Sequence, residues 1–221
     1  MKLEEADSNG HFSPDGQWIV FQNRMDGNAE IFRVPSSGGE PQRLTNDPAR
    51  DTTPAWSPDG NRIVFSSNRG ESYSIFQLYV MNADGTDQHR IYYSKAISQG
   101  PSWSPDGKQI IFANDKEDNR SGNFEIFSIE PETVNPERRL TLHRRYDVSP
   151  VFSPDGAMIA FSSNADGNSE LYLMHSDGSG LLRLTRDAAE DIYPGWSPEG
   201  KKIIFSSNRG GRFAIYELRV D

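Results

Sequence analysis

Four carboxylates stand at equivalent places in this chain, five residues before a recurring aromatic residue. They are Asp7, Asp51, Asp147 and Asp191, and Ser98 takes the same place in the remaining copy. Carboxylates brought close together repel one another and raise one another's proton affinity unless a cation lies between them. Calcium takes about six to eight oxygen ligands and suits such a group with added water. The spacing therefore indicates a cation site, or a seat for a positively charged peptide.

Two other interpretations of these carboxylates remain open. Each Asp could accept backbone N–H bonds within its own loop, since a structural device would also recur in every copy. A pair could instead serve a glycosidase as acid and base, which requires oxygens about 5 Å or about 6.5–9.5 Å apart. That chemistry needs carboxylates in unlike environments, whereas repetition favours like ones. For a metal, the candidate ligands are Asp51, Asp147 and Asp191, with calcium as the candidate ion.

The aromatic residues open five copies of an aromatic-Ser-Pro-Asp-Gly motif, with Glu in place of Asp in the last copy. The copies begin at Phe12, Trp56, Trp103, Phe152 and Trp196. Pro presets the first central position of a turn, Asp suits the second, and Gly takes the left-handed conformation that follows. Such a turn joins two antiparallel strands, and the spacing is that of a structural repeat.

Each copy continues in the same order. An apolar triplet such as Ile63-Val64-Phe65 predicts a strand buried on both faces. A polar loop that opens with Asn, a third strand, a Gly-rich turn and a short fourth strand such as Arg43-Leu44-Thr45 follow. Four-stranded sheets that are apolar on both faces must be covered on both, which radial packing in a β-propeller achieves. A two-sheet sandwich would show a cleaner apolar and polar alternation.

The repeats predict one all-β domain over residues 1–221, made of five four-stranded antiparallel blades. Their expected bounds are 6–45, 50–92, 97–141, 146–185, and 190–221 together with 1–5. The fifth copy has no fourth strand of its own, so Lys2-Leu3-Glu4 is expected to pair with the outer edge of the last blade and close the ring. The alternative is an open ring, or a fragment of a larger propeller.

Composition excludes several classes of function. The net charge of -9 argues against nucleic acid, which requires a basic face. The absence of Cys excludes thiol chemistry, and no apolar run reaches the length of a membrane span. The sequence has no Gly-x-Ser-x-Gly nucleophile elbow and no pair of histidines at metal-ligand spacing. No catalytic motif remains beyond the carboxylates already described.

The repeat, with its aromatic-Ser-Pro-Asp-Gly turn, Ile-x-Phe strand, Asn-containing loop and Arg-Leu-Thr end, resembles the WD40-like PD40 repeat of TolB-like β-propellers. The resemblance implies a non-catalytic scaffold for protein–protein interaction. The partners that it implies are envelope proteins, including a peptidoglycan-associated lipoprotein, and a disordered peptide that enters the channel. It also implies the periplasm if a leader has been removed, and the cytoplasm otherwise. Propellers of this family usually have six blades, whereas five repeats are present here.

The expected function is therefore the binding of a protein or peptide at one face, by a monomer that does not insert into a membrane. The alternatives are a hydrolase acting on glycans through the channel carboxylates, or a fragment without activity of its own. The expected contacts fall into two sets, of which the first rings the channel mouth and the second lies on the loop rim. The sets are Asp7, Asp51, Ser98, Asp147 and Asp191, and Arg24, Arg69, Arg209 and Arg212.

Overall fold

The computed structural model describes residues 8–24, 27–70, 74–116, 122–132, 137–142 and 146–220. Regular structure in these ranges consists of strands, as the repeats predict. The same ranges hold no helix long and apolar enough to cross a bilayer. The predicted pairing of Lys2-Leu3-Glu4 and the candidate Asp7 both lie outside the described residues. The chain divides into two compact units, Met1–Trp103 and Ser104–Asp221.

The first unit contains two complete sheets and one further strand. Its strands are β1 (Ser8–Phe12), β2 (Trp18–Asn23), β3 (Glu30–Pro35), β4 (Gln42–Arg43), β5 (Asp51–Trp56), β6 (Arg62–Ser67), β7 (Gln77–Asn82), β8 (His89–Tyr92) and β9 (Ser98–Trp103).

The second unit contains the remaining strands. They are β10 (Ile110–Asn114), β11 (Glu125–Ile129), β12 (Arg138–Arg139), β13 (Asp147–Phe152), β14 (Met158–Ser163), β15 (Glu170–His175), β16 (Leu182–Arg183), β17 (Asp191–Trp196), β18 (Lys202–Ser207) and β19 (Ala214–Arg219).

The described residues form five antiparallel sheets that follow the chain in order, which confirms the predicted all-β class and number of repeats. Among the described residues, four sheets have four strands, β1–β4, β5–β8, β9–β12 and β13–β16, and the last has three, β17–β19. Because neighbouring strands alternate in direction, the start of every first strand, the loop after every second strand and the end of every fourth strand share one end of the sheet. We call this the loop end, and the aromatic-Ser-Pro-Asp-Gly turns lie at the other.

Each unit buries its apolar residues between successive sheets. In the first unit Val20 and Ile31 of one sheet pack against Trp56, Ile63 and Phe65 of the next. In the second unit Ala160, Leu171 and Leu173 pack in the same way against Ile203 and Phe205. The apolar triplets therefore supply both faces of a sheet, as their lack of alternation predicts.

The recurring turn has the predicted conformation. In the second copy the Ser57 hydroxyl donates to Asp59 (2.6 Å), and the N–H of Gly60 donates to the Ser57 carbonyl (2.9 Å). The N–H of Arg62 donates back to the Ser57 hydroxyl oxygen at 2.9 Å, which closes the turn onto the second strand. Gly60 has φ +72°, in the left-handed region that favours glycine.

The fourth strands are shorter than predicted in three of the four sheets that have one. β4, β12 and β16 end at Arg43, Arg139 and Arg183, so the Leu-Thr pairs of the Arg-Leu-Thr segments lie beyond the strand. In the first sheet the reason is Thr45, because its side-chain hydroxyl, and not a backbone carbonyl of the fourth strand, accepts the N–H of Ile31 at 2.9 Å. The threonine is instead part of a buried polar cluster described below.

Candidate functional site

The structure places the described carboxylate candidates inside the protein. Asp51, Ser98, Asp147 and Asp191 are each the first residue of the first strand of a sheet, and each has an exposed fraction of 0%. Their side chains are therefore closed to a large ligand in this structure. The equivalent position in the first sheet, Asp7, is outside the described residues.

The backbone at these positions ties each sheet to the one before it. In each case the N–H of the first-strand residue donates to a carbonyl just ahead of the preceding third strand. The bonds, all of 2.8 Å, are Asp51 to Ala29 and Ser98 to Phe76 in the first unit, and Asp147 to Phe124 and Asp191 to Ser169 in the second. A residue whose backbone joins two successive sheets is expected in every repeat, whether or not its side chain binds a ligand.

An arginine of the same sheet neutralises Asp51. The guanidinium of Arg69, in the loop after β6, pairs with Asp51 and also donates to the Ser67 hydroxyl at 2.9 Å and to Gln88 at 2.8 Å. The guanidinium carbon lies 5.2 Å from the centre of the Tyr79 ring, which adds a cation–π contact. Burial raises the pKa of Asp51, and the bonds from Ser67 and Arg69 oppose that rise.

The last sheet repeats this arrangement. Arg209 donates to Asp191 at 2.6 Å and to the Ser207 hydroxyl at 3.0 Å, and its guanidinium lies 5.0 Å from the Tyr216 ring. The bond to Asp191 raises the pKa of Arg209 above its ordinary value. In the fourth sheet Ala165 stands where Arg69 and Arg209 stand, so Asp147 has no arginine from this position.

The sequence signal for these ion pairs is the Arg that directly follows the loop Asn, at 68–69 and 208–209. The four predicted rim arginines therefore divide into two kinds. Arg69 and Arg209 are committed to buried carboxylates, whereas Arg24 and Arg212 are exposed at the loop end. The structure thus brings two members of each predicted set together, as ion pairs within a sheet.

No group of three His, Asp or Glu residues in the described ranges is arranged to hold a metal ion. For Asp51 and Asp191, an arginine already supplies the positive charge that the sequence interpretation assigned to a cation. The calcium site stays a prediction from the sequence.

A second buried carboxylate recurs at the start of three third strands, which sequence analysis missed. Glu30 accepts from Arg43 at 2.9 Å and from the Thr45 hydroxyl at 2.5 Å. Equivalent bonds join Glu125 to Arg139 and Thr141, and Glu170 to Arg183 and Thr185. The signal was available, because Glu opens the segments Glu-Ile-Phe, Glu-Ile-Phe and Glu-Leu-Tyr that precede each Arg-Leu-Thr. These clusters give the recurring Glu and Arg-Leu-Thr residues a structural role within each of the three sheets.

The first strands also carry a recurring backbone distortion. The register shifts near the start of β1, β5, β13 and β17, which marks a β-bulge. One residue near the start of every first strand has a left-handed φ, between +48° and +61°. It is the second residue of β1 and the third residue of β5, β9, β13 and β17, namely Asn9, Thr53, Gly100, Ser149 and Tyr193. Bulges and left-handed non-glycine residues are costly, and they concentrate at functional sites. Turn-based sequence reasoning gives no signal for them.

The loop end of the second unit exposes large apolar side chains. Tyr193 is 63% exposed, and its N–H is held by the Ser162 hydroxyl of the preceding sheet at 3.2 Å. Phe213 and Leu142 are also exposed, immediately before β19 and shortly after β12. Tyr146 is more than a third exposed and packs edge-on against Phe124, with ring centres 5.3 Å apart. Exposed aromatic residues on a rigid frame are typical of protein-binding surfaces.

Comparison with known proteins agrees with this architecture. A family model described as the TolB beta propeller domain matches residues 2–141. The chain belongs to this TolB propeller family. A second model, the Tricorn protease N-terminal beta propeller domain, matches residues 135–218.

Among curated relatives of this TolB-type chain, the TolB homolog of Chlorobium luteolum is 31% identical over 166 residues, which are 75% of this chain and 36% of that protein. The uncharacterized peptidase YuxL of Bacillus subtilis is 26% identical over 162 residues, 73% of this chain and 22% of that protein. The chain therefore spans well under half the length of these relatives.

Solved structures share the fold over nearly the whole chain. A TolB-type protein from Agrobacterium tumefaciens matches with a TM-score of 0.85 and 22% identity, covering 100% of this chain and 79% of that one. An oligogalacturonate lyase and a puromycin hydrolase also match. The fold thus occurs in a TolB protein and in enzymes, so the fold alone does not decide the activity of this chain.

Proposed function

We propose that this chain is a non-catalytic module that binds a protein or peptide at the loop end of its sheets. The observation that carries the proposal is the set of exposed apolar side chains at that end of the second unit, where Tyr193 has a left-handed backbone conformation. Membership of the TolB propeller family supports it, since such folds commonly mediate protein interaction.

The loop end is suited to binding because hydrogen bonds and an ion pair hold the starts of its first strands and the loop after β18 in place. The backbone ties at Asp147 and Asp191 join successive sheets, and the pair of Asp191 and Arg209 holds the loop after β18 to its own sheet. Contact residues positioned on such a frame lose little conformational entropy when a partner binds. Under this proposal the buried carboxylates position the loops, and the partner contacts fall on exposed neighbours.

The charge near the aromatic residues is mixed. Arg186, Asp187 and Arg212 are exposed, and Glu190 is partly buried. A peptide that offers apolar side chains with alternating charges fits this end better than a uniformly acidic or basic one. Electrostatic complementarity of this kind favours register and specificity more than raw affinity.

The hydrolase alternative meets an obstacle in the same residues. A catalytic carboxylate must touch its substrate, whereas Asp51, Asp147 and Asp191 have no exposed surface. Asp51 and Asp191 are further engaged by arginine. Release of sugar from arabinan or xylan by the purified protein, lost in Asp51→Asn, would favour the hydrolase instead.

The test begins with peptides selected from a phage-displayed random library on the immobilised protein. Their affinity is then measured by fluorescence anisotropy for the wild type, Tyr193→Asn and Phe213→Ser. Both substitutions copy residues of equivalent positions in this chain, Asn9 and Ser169, so the fold is retained. We expect each to weaken binding about tenfold or more, because exposed aromatic residues dominate such interfaces.

Leu181→Ala is the matched control, since Leu181 is an exposed apolar residue at the opposite end of its sheet. The control is expected to bind as the wild type does. Peptides that bind all four proteins with equal affinity would place the binding surface elsewhere. A library that yields no peptide specific for the folded protein would contradict the proposed function.

A further inference from the structure

The second sheet departs from the polar cluster that the first, third and fourth sheets share. In the first sheet the cluster joins Glu30 to Arg43 and Thr45, which follow it by 13 and 15 residues. The residues at the same spacing in the second sheet are Gln77, Arg90 and Tyr92. The arginine is therefore kept, whereas Gln and Tyr stand in place of the Glu and the Thr.

The side chain of Gln77 does not take over the role of the glutamate. Its amide oxygen accepts the N–H of Ser94 at 2.7 Å, and its amide nitrogen donates to the carbonyl of Ala96 at 3.0 Å. The same nitrogen donates to the carbonyl of Phe76 at 2.9 Å. Within the part of the chain that the structure describes, no carboxylate pairs with the guanidinium of Arg90.

The other sheets show what an arginine at this position binds. The Nη2 atoms of Arg43, Arg139 and Arg183 each donate to a glutamate oxygen, at 2.9, 3.0 and 2.7 Å. Such bonds are charge-assisted, and the planar guanidinium makes them specific in geometry. Arg90 is instead exposed, and its guanidinium carbon lies 4.7 Å from the ring centre of Tyr93, which is itself 51% exposed. The second sheet thus presents to solvent the donors that the other three sheets give to a carboxylate.

The strand that carries Arg90 is the outer edge of its sheet. β8 is the last strand in the order β5–β8, and it has four residues where β4, β12 and β16 have two. It is longer because Tyr92 pairs with Leu78 through the backbone, where a threonine hydroxyl takes the N–H in the other three sheets. An outer strand has main-chain donors and acceptors on its open side, and an extended peptide can bond to them.

The charge around β8 differs from that of the whole chain. Residues 88–95 contain Arg90 and Lys95 and no Asp or Glu, although the chain has a net charge of -9. The carboxylate of Asp87, directly before this segment, lies 3.7 Å from His89. An acidic ligand is therefore repelled by the molecule as a whole and attracted at this edge, which favours binding at one place.

We propose that the outer edge of the second sheet binds an extended acidic segment of a partner protein. A carboxylate of that segment pairs with Arg90, and a neighbouring apolar side chain packs on the ring of Tyr93. The main chain of the segment bonds to the open side of β8. This site lies within one sheet of the first unit, so it goes beyond the proposed function at the loop end of the second unit and does not depend on it.

The probe is a fluorescein-labelled peptide of alternating valine and glutamate, with both ends capped, and its affinity is measured by fluorescence anisotropy at physiological salt. Peptides with glutamine or lysine in place of glutamate are the matched probes. Arg90→Gln removes the proposed contact, and Arg50→Gln is its control, because Arg50 is also exposed and lies 5.9 Å from the ring centre of Phe76. The double variant Gln77→Glu, Tyr92→Thr keeps Arg90 but rebuilds the cluster of the other sheets around it.

We expect the glutamate peptide to bind the wild type and Arg50→Gln alike, and to bind Arg90→Gln about tenfold more weakly. The double variant should also bind weakly, since its arginine is engaged within the sheet. Tyr193→Asn should bind this peptide as the wild type does, which separates this site from the loop end. A glutamate peptide that binds no better than the glutamine peptide, or a variant Arg90→Gln with unchanged affinity, would overturn the proposal.

Melting curves test whether Arg90 serves only the stability of its sheet. Arg43→Gln should lower the melting temperature, because it leaves the buried carboxylate of Glu30 without its arginine. Arg90→Gln should leave the melting temperature unchanged, since its guanidinium compensates no buried charge. An equal fall in both variants would assign Arg90 a structural role and count decisively against the binding site.

Discussion

Two aspartates of the second sheet have opposite environments. Asp51 is buried, and burial raises its pKa against the opposing effect of Ser67 and Arg69. Asp59 lies in the turn at the other end of the sheet, where the Ser57 hydroxyl and the Asn61 N–H lower its pKa. The two groups should therefore give the stability of the protein opposite dependences on pH.

For Asp51, the raised pKa means that its contribution to stability is complete below the ordinary pKa of about 4 and is lost as pH rises through the folded value. The wild type minus Asp51→Asn difference in the free energy of unfolding should therefore become smaller as pH rises through the folded pKa of Asp51.

For Asp59, the lowered pKa means a contribution to stability that is complete above about 4 and is lost as pH falls through the folded pKa. The advantage over Asp59→Asn should therefore widen as pH rises towards about 4. Urea unfolding of the three proteins across acidic pH measures both slopes, and slopes of the same sign would contradict the assigned environments.

Tyr193 should trade stability for binding. A bulky residue at φ +56° is strained, and Asn tolerates this conformation better. We expect Tyr193→Asn to raise the free energy of unfolding by about 0.5–1 kcal/mol while it weakens peptide binding. Thermal melting supplies the first value and anisotropy the second. A variant that loses both stability and binding would indicate that the tyrosine serves packing instead.

At the scale of the element, the turn between third and fourth strands packs onto the sheet before it. Gly85 has φ +88°, and a Cβ there would lie 2.7 Å from the Leu44 carbonyl oxygen. Gly38 occupies the equivalent turn of the first sheet with φ +92° and has no atom within 4 Å of such a Cβ. Gly38→Ala should cost about 1–2 kcal/mol through its backbone conformation alone. Gly85→Ala should cost more, because the backbone of Leu44 must also move, and equal losses in urea unfolding would count against this contact.

The apolar triplets make a second prediction about packing between sheets. Phe65 is fully buried in the cluster that joins the first two sheets of the first unit. Phe65→Ala should lower the free energy of unfolding by about 3–5 kcal/mol, because it leaves a cavity in a close-packed interface. Phe12→Ala, at an exposed residue of the same chain, is the control and should cost little. A loss below about 1 kcal/mol at Phe65 would be too small for a residue in this position.

The elements were more predictable from the sequence than the roles of their polar residues. Triplets such as Ile63-Val64-Phe65 and the turn at Gly60 carry strand and turn information locally, since apolar runs and left-handed glycines act within a few residues. The cluster at Glu30 includes Arg43 and Thr45, which are 13 and 15 positions away in the sequence and approach Glu30 only when β3 and β4 pair. The bulge at Tyr193 depends on the preceding sheet, whose Ser162 holds its backbone. The first contact requires the pairing of two strands and the second requires the packing of a neighbouring sheet, so neither is visible in a short stretch of sequence.

At the scale of the whole molecule, the recurrence of a carboxylate at the start of the first strands has two explanations. A residue that ties every sheet to the one before it recurs at the period of the fold, as ligands of an axial ion would. The two explanations differ in what neutralises the buried charge. In the second and last sheets an arginine of the same sheet does so.

This difference predicts the response to calcium. An ion that binds only the folded state raises stability by about 2.7 kcal/mol when it is present at a hundredfold excess over its dissociation constant. Because the guanidinium groups of Arg69 and Arg209 already compensate Asp51 and Asp191, we expect millimolar calcium added after EDTA treatment to leave the melting temperature unchanged. Magnesium at the same ionic strength controls for general salt effects.

A rise in melting temperature that is specific to calcium and is lost in the double variant Asp51→Asn, Asp191→Asn would contradict this prediction and identify the carboxylates as ligands. An unchanged melting temperature together with a large loss of stability in Arg69→Ala would show that the arginine, through its pair with a buried charge, supplies what the ion was expected to supply.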